Sequence, residues 1–182
     1  MRLLVGLHET DRVLTQHTAA RVPKRVGKVL SAVEEAAENT KLWCAAAAVM
    51  ATGGGWRGRR AAATGLVALG VAQIVSNGVC KQLADRSRPP KEWIPHDEVE
   101  DRPDSSSFPS GHTAAAVAFT AAAAAVWPAA GLLCAVPAVM VTVERVQSGA
   151  HYPSDVAAGA GIGIISALCV RHGPRLLMRH KG

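Results

Sequence analysis

Between Thr113 and Val143 the chain runs for 31 residues without a charged side chain. As one helix this stretch would extend about 46 Å, well beyond the ~30 Å hydrocarbon core of a bilayer. It therefore predicts two short membrane spans divided at Trp127-Pro128-Ala129, with Pro128 opening the second helix. Ala61 to Cys80 adds 20 uncharged residues, bounded by Arg60 and Lys81. Leu42 to Trp56 and Val156 to Val170 contribute 15 each, short enough to need flanking residues or a thinned bilayer. A soluble helical protein with an Ala-rich core would not leave 31 consecutive positions uncharged.

The expected fold is therefore all-α: a polytopic transmembrane bundle of about five spans, near 41–56, 60–82, 111–127, 129–146 and 154–171. Residues 1–40 are charged, with apolar positions at Val22, Val26, Val29, Leu30 and Val33. They are expected to form amphipathic helices on the membrane surface, with Pro23 opening one. Residues 41–171 then form the membrane core and 172–182 a basic tail. Met1–Gly6 is too short for the apolar core of a signal peptide. The abundance of Ala, Gly and Ser suits close helix packing in lipid, as in the Gly159, Gly161, Gly163 series. Cys44, Cys80, Cys134 and Cys169 lie in apolar runs without CxxC spacing, and read as small buried hydrophobes instead of a disulfide framework or a zinc site. The net charge of +6 favours a membrane surface or an anionic substrate. Aromatic residues make up only 4% of the chain, and no aromatic-plus-basic pattern points to nucleic acid.

Alternating helix directions place Lys81, the polar segment Asp85–Phe108, Gly111-His112, Glu144-Arg145 and Asp155 at one membrane face. Ionisable residues at the membrane edge are costly, so their convergence marks a functional site. Lys81 and Arg88 are seven positions apart. If the helix continues to Pro89-Pro90, both lie on one stripe about 10 Å apart along the axis, and Arg86 lies off that face. Such a pair can bracket a phosphate, Lys as a point charge and Arg as a planar fork. In FPSGHT, Ser110 offers a hydroxyl, Gly111 allows close backbone approach, and His112 sits in the first helical turn, where free N–H groups favour an anion and an imidazole can protonate a leaving oxygen. In ERVQSGAHYPSD, Arg145 supplies a third cation. His151 and Asp155 are four apart, so the carboxylate can fix the imidazole tautomer and leave the other ring nitrogen free to attack.

The ordered set K-x6-RP, PSGH and R-x5-H-x3-D on hydrophobic helices resembles the type-2 phosphatidic acid phosphatase superfamily, over residues 60–171. The resemblance implies an α-helical hydrolase acting on a phosphate or diphosphate, with no cofactor and no metal. Lys81, Arg88, Ser110, the Gly111 backbone and Arg145 would bind phosphate. His151 would attack phosphorus to give a phosphohistidine, His112 would protonate the leaving group, and Asp155 would orient His151. Glu144 departs from the Ser that many members carry before the third-motif Arg, and five spans are one fewer than is frequent.

A site at the membrane edge with little soluble mass implies a lipid phosphate, most simply a polyprenyl (di)phosphate. Phosphatidic acid, phosphatidylglycerol phosphate and a polyprenyl-phosphoryl sugar phosphate are the alternatives. The expected setting is a bacterial plasma membrane. Seven Lys and Arg lie on the face opposite the site (Arg57, Arg59, Arg60, Arg171, Arg175, Arg179 and Lys181), of 20 in the chain. The positive-inside count by itself would put the site in the cytoplasm, but three cations on the site face serve phosphate, and the resemblance favours an external site. Asp97, Glu98, Glu100, Asp101 and Asp104 are expected to line a lid over the site. A vanadium haloperoxidase would use the same residues, but five apolar spans argue against it. A lipid-binding or transport protein with a degenerate site would lack one of the catalytic residues, and all are present.

Overall fold

The computed structural model describes residues 2–94 and 105–179, and among them it is built from helices and turns. Two helices open the chain, α1 (Arg2–Arg21) and α2 (Lys24–Ala37). Pro23 stands immediately before α2. Asn39 and Thr40 take left-handed conformations, φ 51° and 64°, and turn the chain into α3 (Lys41–Gly53). After Gly54 comes α4 (Gly55–Gln73), which continues through π-helical turns at Ile74–Cys80 into the short α5 (Lys81–Leu83). The remaining helices are α6 (Gly111–Val126), α7 (Pro128–Gln147) and α8 (Pro153–Arg179). Pro128 takes the first position of α7, where its missing N–H costs nothing.

The centre of the bundle is α6, which packs against α4, α7 and α8, while α3 lies on α4 and α4 also meets α8. The interior is made of small residues. Ala114, Ala116, Ala118 and Ala123 of α6 are fully buried, together with Ala61, Ala68 and Ala72 of α4. Trp43 and Phe119 supply the bulk, their rings 5.4 Å apart. Gly163 lies so close to the α6 backbone that an added Cβ would stand 2.7 Å from the Ala114 carbonyl oxygen. The large aliphatic residues point outward, among them Leu132 and Leu133 of α7, Ile165 of α8, Val67 of α4 and Ile74 of the π-helical turns that follow it. Small residues inside and large ones outside are what lipid, not water, rewards.

All five expected apolar segments are helical. Three are long and apolar enough to cross a membrane: Gly55–Leu83, Pro128–Gln147 and Pro153–Gly173. With 16 residues α6 reaches only about 24 Å, and α3 with 13 about 20 Å. The cysteine reading needs correction: Cys134 is buried, but Cys44 and Cys169 are exposed on outer helix faces that the bundle leaves to lipid. The expected basic tail begins inside α8, which runs on to Arg179.

The N-terminal helices do more than lie on a surface. Through Gly27, Leu30 and Ala37, α2 buries one face and packs on α7, leaving Val26 and Val29 exposed. In α1 the buried positions are Asp11, Thr15 and Ala19, spaced by four, while Val13 and Leu14 face outward. The inward stripe of α1 is thus polar, and it meets α7 and α8 at the end where the motifs converge.

Candidate active site

The three motifs do gather at one end of the bundle. Lys81 opens the last helical turn of the α4–α5 rod. The helix does not continue to Arg88, as the seven-residue spacing had suggested. It stops at Leu83, and Ala84 is extended, φ −113° and ψ 127°. The reason is a competing set of hydrogen bonds: Ser107 N–H donates to the Arg86 carbonyl at 2.9 Å, and the Ser107 hydroxyl donates to the Ser87 carbonyl at 3.2 Å. Residues ahead of Pro89 are also disfavoured from helix. Arg88 therefore reaches the site from an extended strand-like segment. Its guanidinium donates to the Ala150 carbonyl at 2.6 Å and to the Ser105 carbonyl at 3.2 Å.

Ser110 caps α6. Its Oγ accepts from Thr113 N–H at 3.4 Å and lies 3.0 Å from the Thr113 hydroxyl, fully buried. The hydroxyl expected on phosphate is therefore engaged with its own helix. At Gly111 an added Cβ would meet the tip of the Asn77 side chain, which would have to swing aside. His112 follows, with Nε2 3.3 Å from Glu34 of α2. Arg145, near the end of α7, pairs with Glu34 at 3.0 Å and with Glu144 at 2.5 Å.

Gly149, in a left-handed conformation at φ 64°, closes α7 and turns the chain. His151 N–H then donates to the Arg145 carbonyl at 2.9 Å. The His151 ring is 3% exposed, with Nδ1 2.5 Å from the Ser107 carbonyl and 3.9 Å from Asp155 Oδ2. A carbonyl only accepts, so Nδ1 carries the proton and Nε2 holds the lone pair. Burial pushes the His151 pKa well below its ordinary value, and the nearby charges of Arg88, Arg145 and Lys81 push the same way. The ring is thus neutral. His112 lies within the field of the same three cations.

Asp155 is fully buried at the start of α8. Tyr152 N–H donates to its Oδ2 at 2.8 Å, and Arg86 binds its Oδ1 at 2.5 Å. Helical spacing alone places Arg86 off the Lys81–Arg88 face, whereas the structure puts it beside the His–Asp pair. Its other guanidinium nitrogen holds Asp11 of α1 at 2.7 Å, and the group lies 4.2 Å above the Tyr152 ring. Asp11 in turn accepts from the Ser154 N–H at 2.9 Å and its hydroxyl at 2.6 Å. Sequence reasoning missed Asp11, Arg86 and Glu34. The signal for Asp11 was the Asp11-Thr15-Ala19 stripe, a buried face that its polarity disguised. The five acids of the expected lid fall within residues 95–104, outside the described residues. Among the described residues, no three His, Cys, Asp or Glu come together in a way that could hold a metal ion.

Comparison with known proteins gives this geometry a family. A lipid A 1-phosphatase of Rhizobium etli is 46% identical over 57 residues, 31% of this chain and 25% of that protein. The bacitracin transport permease protein BcrC of Bacillus licheniformis is 43% identical over 65 residues, 36% of this chain and 32% of that protein. The matched stretches thus span about a quarter to a third of these relatives. Two crystal structures share the fold. One is a transmembrane PAP2 type phosphatidylglycerolphosphate phosphatase from Bacillus subtilis, with TM-score 0.69 and 19% identity over 93% of this chain and 87% of that one. The other is Aquifex aeolicus LpxE, with TM-score 0.69 and 18% identity over 86% of this chain and 92% of that one. The family model of the PAP2 superfamily matches residues 61–179, which carry all three motifs, and the chain belongs to that superfamily.

Proposed function

We propose that this protein is a membrane lipid phosphatase that works through a phosphohistidine. The observation that carries the reading is His151, a buried imidazole whose Nδ1 is fixed on the Ser107 carbonyl and whose surroundings hold Lys81, Arg88 and Arg145. The three cations and the N-terminus of α6 neutralise the equatorial oxygens of the phosphoryl group. The Nε2 lone pair of His151 attacks phosphorus. The bond from phosphorus to the lipid oxygen breaks, and His112, protonated once the bound phosphate's negative charge offsets the three cations, gives that oxygen its proton. Water then attacks the phosphohistidine, its proton returns to His112, and the P–N bond breaks to release inorganic phosphate. Asp155 faces the imidazolium-like ring that forms.

Glu34 occupies the sides of Arg145 and His112 that a phosphate would take, so substrate displaces it. The substrate class follows from the outward apolar surface: a phosphate or diphosphate on a lipid, a polyprenyl (di)phosphate by preference, its tail lying between helices. A second reading is a phosphate on a lipid-linked sugar, favoured by the resemblance to the lipid A 1-phosphatase. The active face is proposed to be external, in a bacterial plasma membrane. The test is phosphate release by detergent-purified protein from a panel of lipid phosphates, beside His151→Ala. Turnover that vanishes in the variant supports the mechanism, and turnover that survives removes His151 as nucleophile.

A further inference from the structure

At the end of the bundle opposite the motifs, where α6 stops at Val126, a cavity opens between α4, α6 and α8. Its volume is about 790 Å³, within the range of sites that hold small ligands. The direction of the helices fixes its place: it is lined by the start of α4, the end of α6 and the later turns of α8, whereas the catalytic residues lie at their other ends. The rim carries Arg57, Arg60 and Arg171. Arg57 is pinned, its Nε donating to the Val126 carbonyl at 3.0 Å and covering one of the unpaired carbonyls at the end of α6. About one turn deeper the walls become Thr64, Ala122 and Ala167, small side chains that leave the space unfilled.

No acidic residue lines the cavity, and the chain holds none in 39–84, 105–143 or 156–182, the stretches that build this end. Three arginines over an apolar floor, without a counter-charge, call for a ligand with an anionic head and an apolar body. The surroundings supply the rest of the match. Trp56 is 78% exposed at the rim, the level at which aromatic residues meet lipid headgroups. Leu66 and Val67 of α4 and Ile164, Ile165 and Leu168 of α8 point outward beside the cavity, where acyl chains would run. Basic pockets between membrane helices bind acidic phospholipid headgroups in this way.

We propose that this cavity binds the headgroup of an anionic phospholipid, with the phosphate on Arg60 and Arg171 and the chains along α4 and α8. The site is separate from the catalytic one, and the lipid acts as a bound structural partner joining three helices instead of as a substrate.

The test uses the full chain in neutral detergent, with phosphatidylglycerol, phosphatidylcholine and glycerol phosphate as probes. Binding is read by native mass spectrometry and by the rise in unfolding temperature. Phosphatidylglycerol is expected to bind and stabilise, phosphatidylcholine about tenfold or more weakly, and glycerol phosphate not measurably, because it has no apolar body. The double variant Arg60→Gln/Arg171→Gln should lose about tenfold or more of the phosphatidylglycerol affinity. Arg60→Lys/Arg171→Lys should keep most of it, and Arg145→Gln, at the other end, should keep all of it. Equal binding of the two lipids overturns the proposal. So does a double Gln variant that binds as the parent does, or a loss seen only with Arg145→Gln, which would place the lipid in the catalytic site. Glycerol phosphate binding as tightly as the lipid would make this a soluble-anion site and reject the lipid.

Discussion

Replacing Arg86 by Gln tests whether α1 belongs to the catalytic machinery. The guanidinium stands between two carboxylates that are almost fully buried, Asp11 and Asp155, at 2.7 and 2.5 Å. After the change each acid keeps some support: Asp11 retains the Ser154 N–H and hydroxyl, and Asp155 retains the Tyr152 N–H. Each loses one charge-assisted hydrogen bond, worth about 1.5–3 kcal/mol. On the Asp11 side the loss falls on the docking of α1 and should lower the unfolding temperature. On the Asp155 side it falls on the group facing His151. If that interaction is realised in the transition state, 1.5–3 kcal/mol corresponds to a drop in kcat of roughly 10- to 150-fold. KM should stay near the parent value, since Arg86 holds carboxylates and not phosphate. Asp11→Asn removes only the outer half of the bridge, so it should cost stability more than kcat. Arg86→Lys should restore part of both, because one ammonium cannot fork between two acids. The assay is steady-state phosphate release from a lipid phosphate together with thermal unfolding in the same detergent. A folded Arg86→Gln protein with parental kcat would refute the reasoning, and a raised KM at constant kcat would move Arg86 into phosphate binding.

Three further outcomes are expected. Glu34→Gln should lower KM about tenfold near neutral pH, by removing an internal anion from Arg145 and His112. Burial pushes the Glu34 carboxyl above its ordinary range, against the opposing pull of Arg145. As pH falls through that raised value the carboxyl becomes neutral and stops competing, so the KM ratio of parent to variant should shrink toward one on acidification and grow with rising pH. A ratio that ignores pH would dismiss the competition. Gly159→Ala should lose about 1–3 kcal/mol of stability, because its methyl would press on the Ser110 carbonyl, which is backbone and cannot swing away. Gly161→Ala, with open space around it, is the matching control in the same melting experiment. Phosphate release should persist in excess EDTA, since Lys81, Arg88 and Arg145 supply the positive charge; loss restored by magnesium would demand different chemistry.

The parts of the site that were legible in the sequence are those written locally. The N-terminal turn of α6 follows from Ser110 as a cap and the charge-free run behind it. The His151–Asp155 relation follows from a four-residue spacing, although the structure ties Nδ1 to the Ser107 carbonyl, a backbone partner that no spacing reveals. Arg86 was misplaced because the helix was extended through it. What stops the helix at Leu83 is pairing with residues 105–107, some 20 positions away, and pairing at that distance leaves no mark in periodicity. Asp11 and Glu34 were missed for a related reason: each is one acid among many in a charged segment, and only the docking of α1 on α8 and of α2 on α7 singles it out. The bundle itself was easy to read, because uncharged runs report a bilayer directly. The widened turns of Ile74–Cys80, which bring Asn77 against Gly111, carried no such signal.

Near the site the joint between α6 and α8 includes direct main-chain contact, beside the small side chains that pack further along. Ser110 N–H donates to the Asp155 carbonyl at 3.1 Å, and Gly159 and Gly163 bring the α8 backbone onto the α6 backbone. At these two points no long side chain separates the helix that carries His112 from the helix that carries Asp155. The elements that supply Glu34 and Asp11 are fastened by side chains and lie before residue 61, where the family match begins. The acids that meet Arg86, Arg145 and His112 from α1 and α2 thus come from outside the stretch that carries the three motifs. Exchanging the first 40 residues between relatives would carry both contacts with it, and the change in kcat and KM that follows measures how far the site extends beyond the family core.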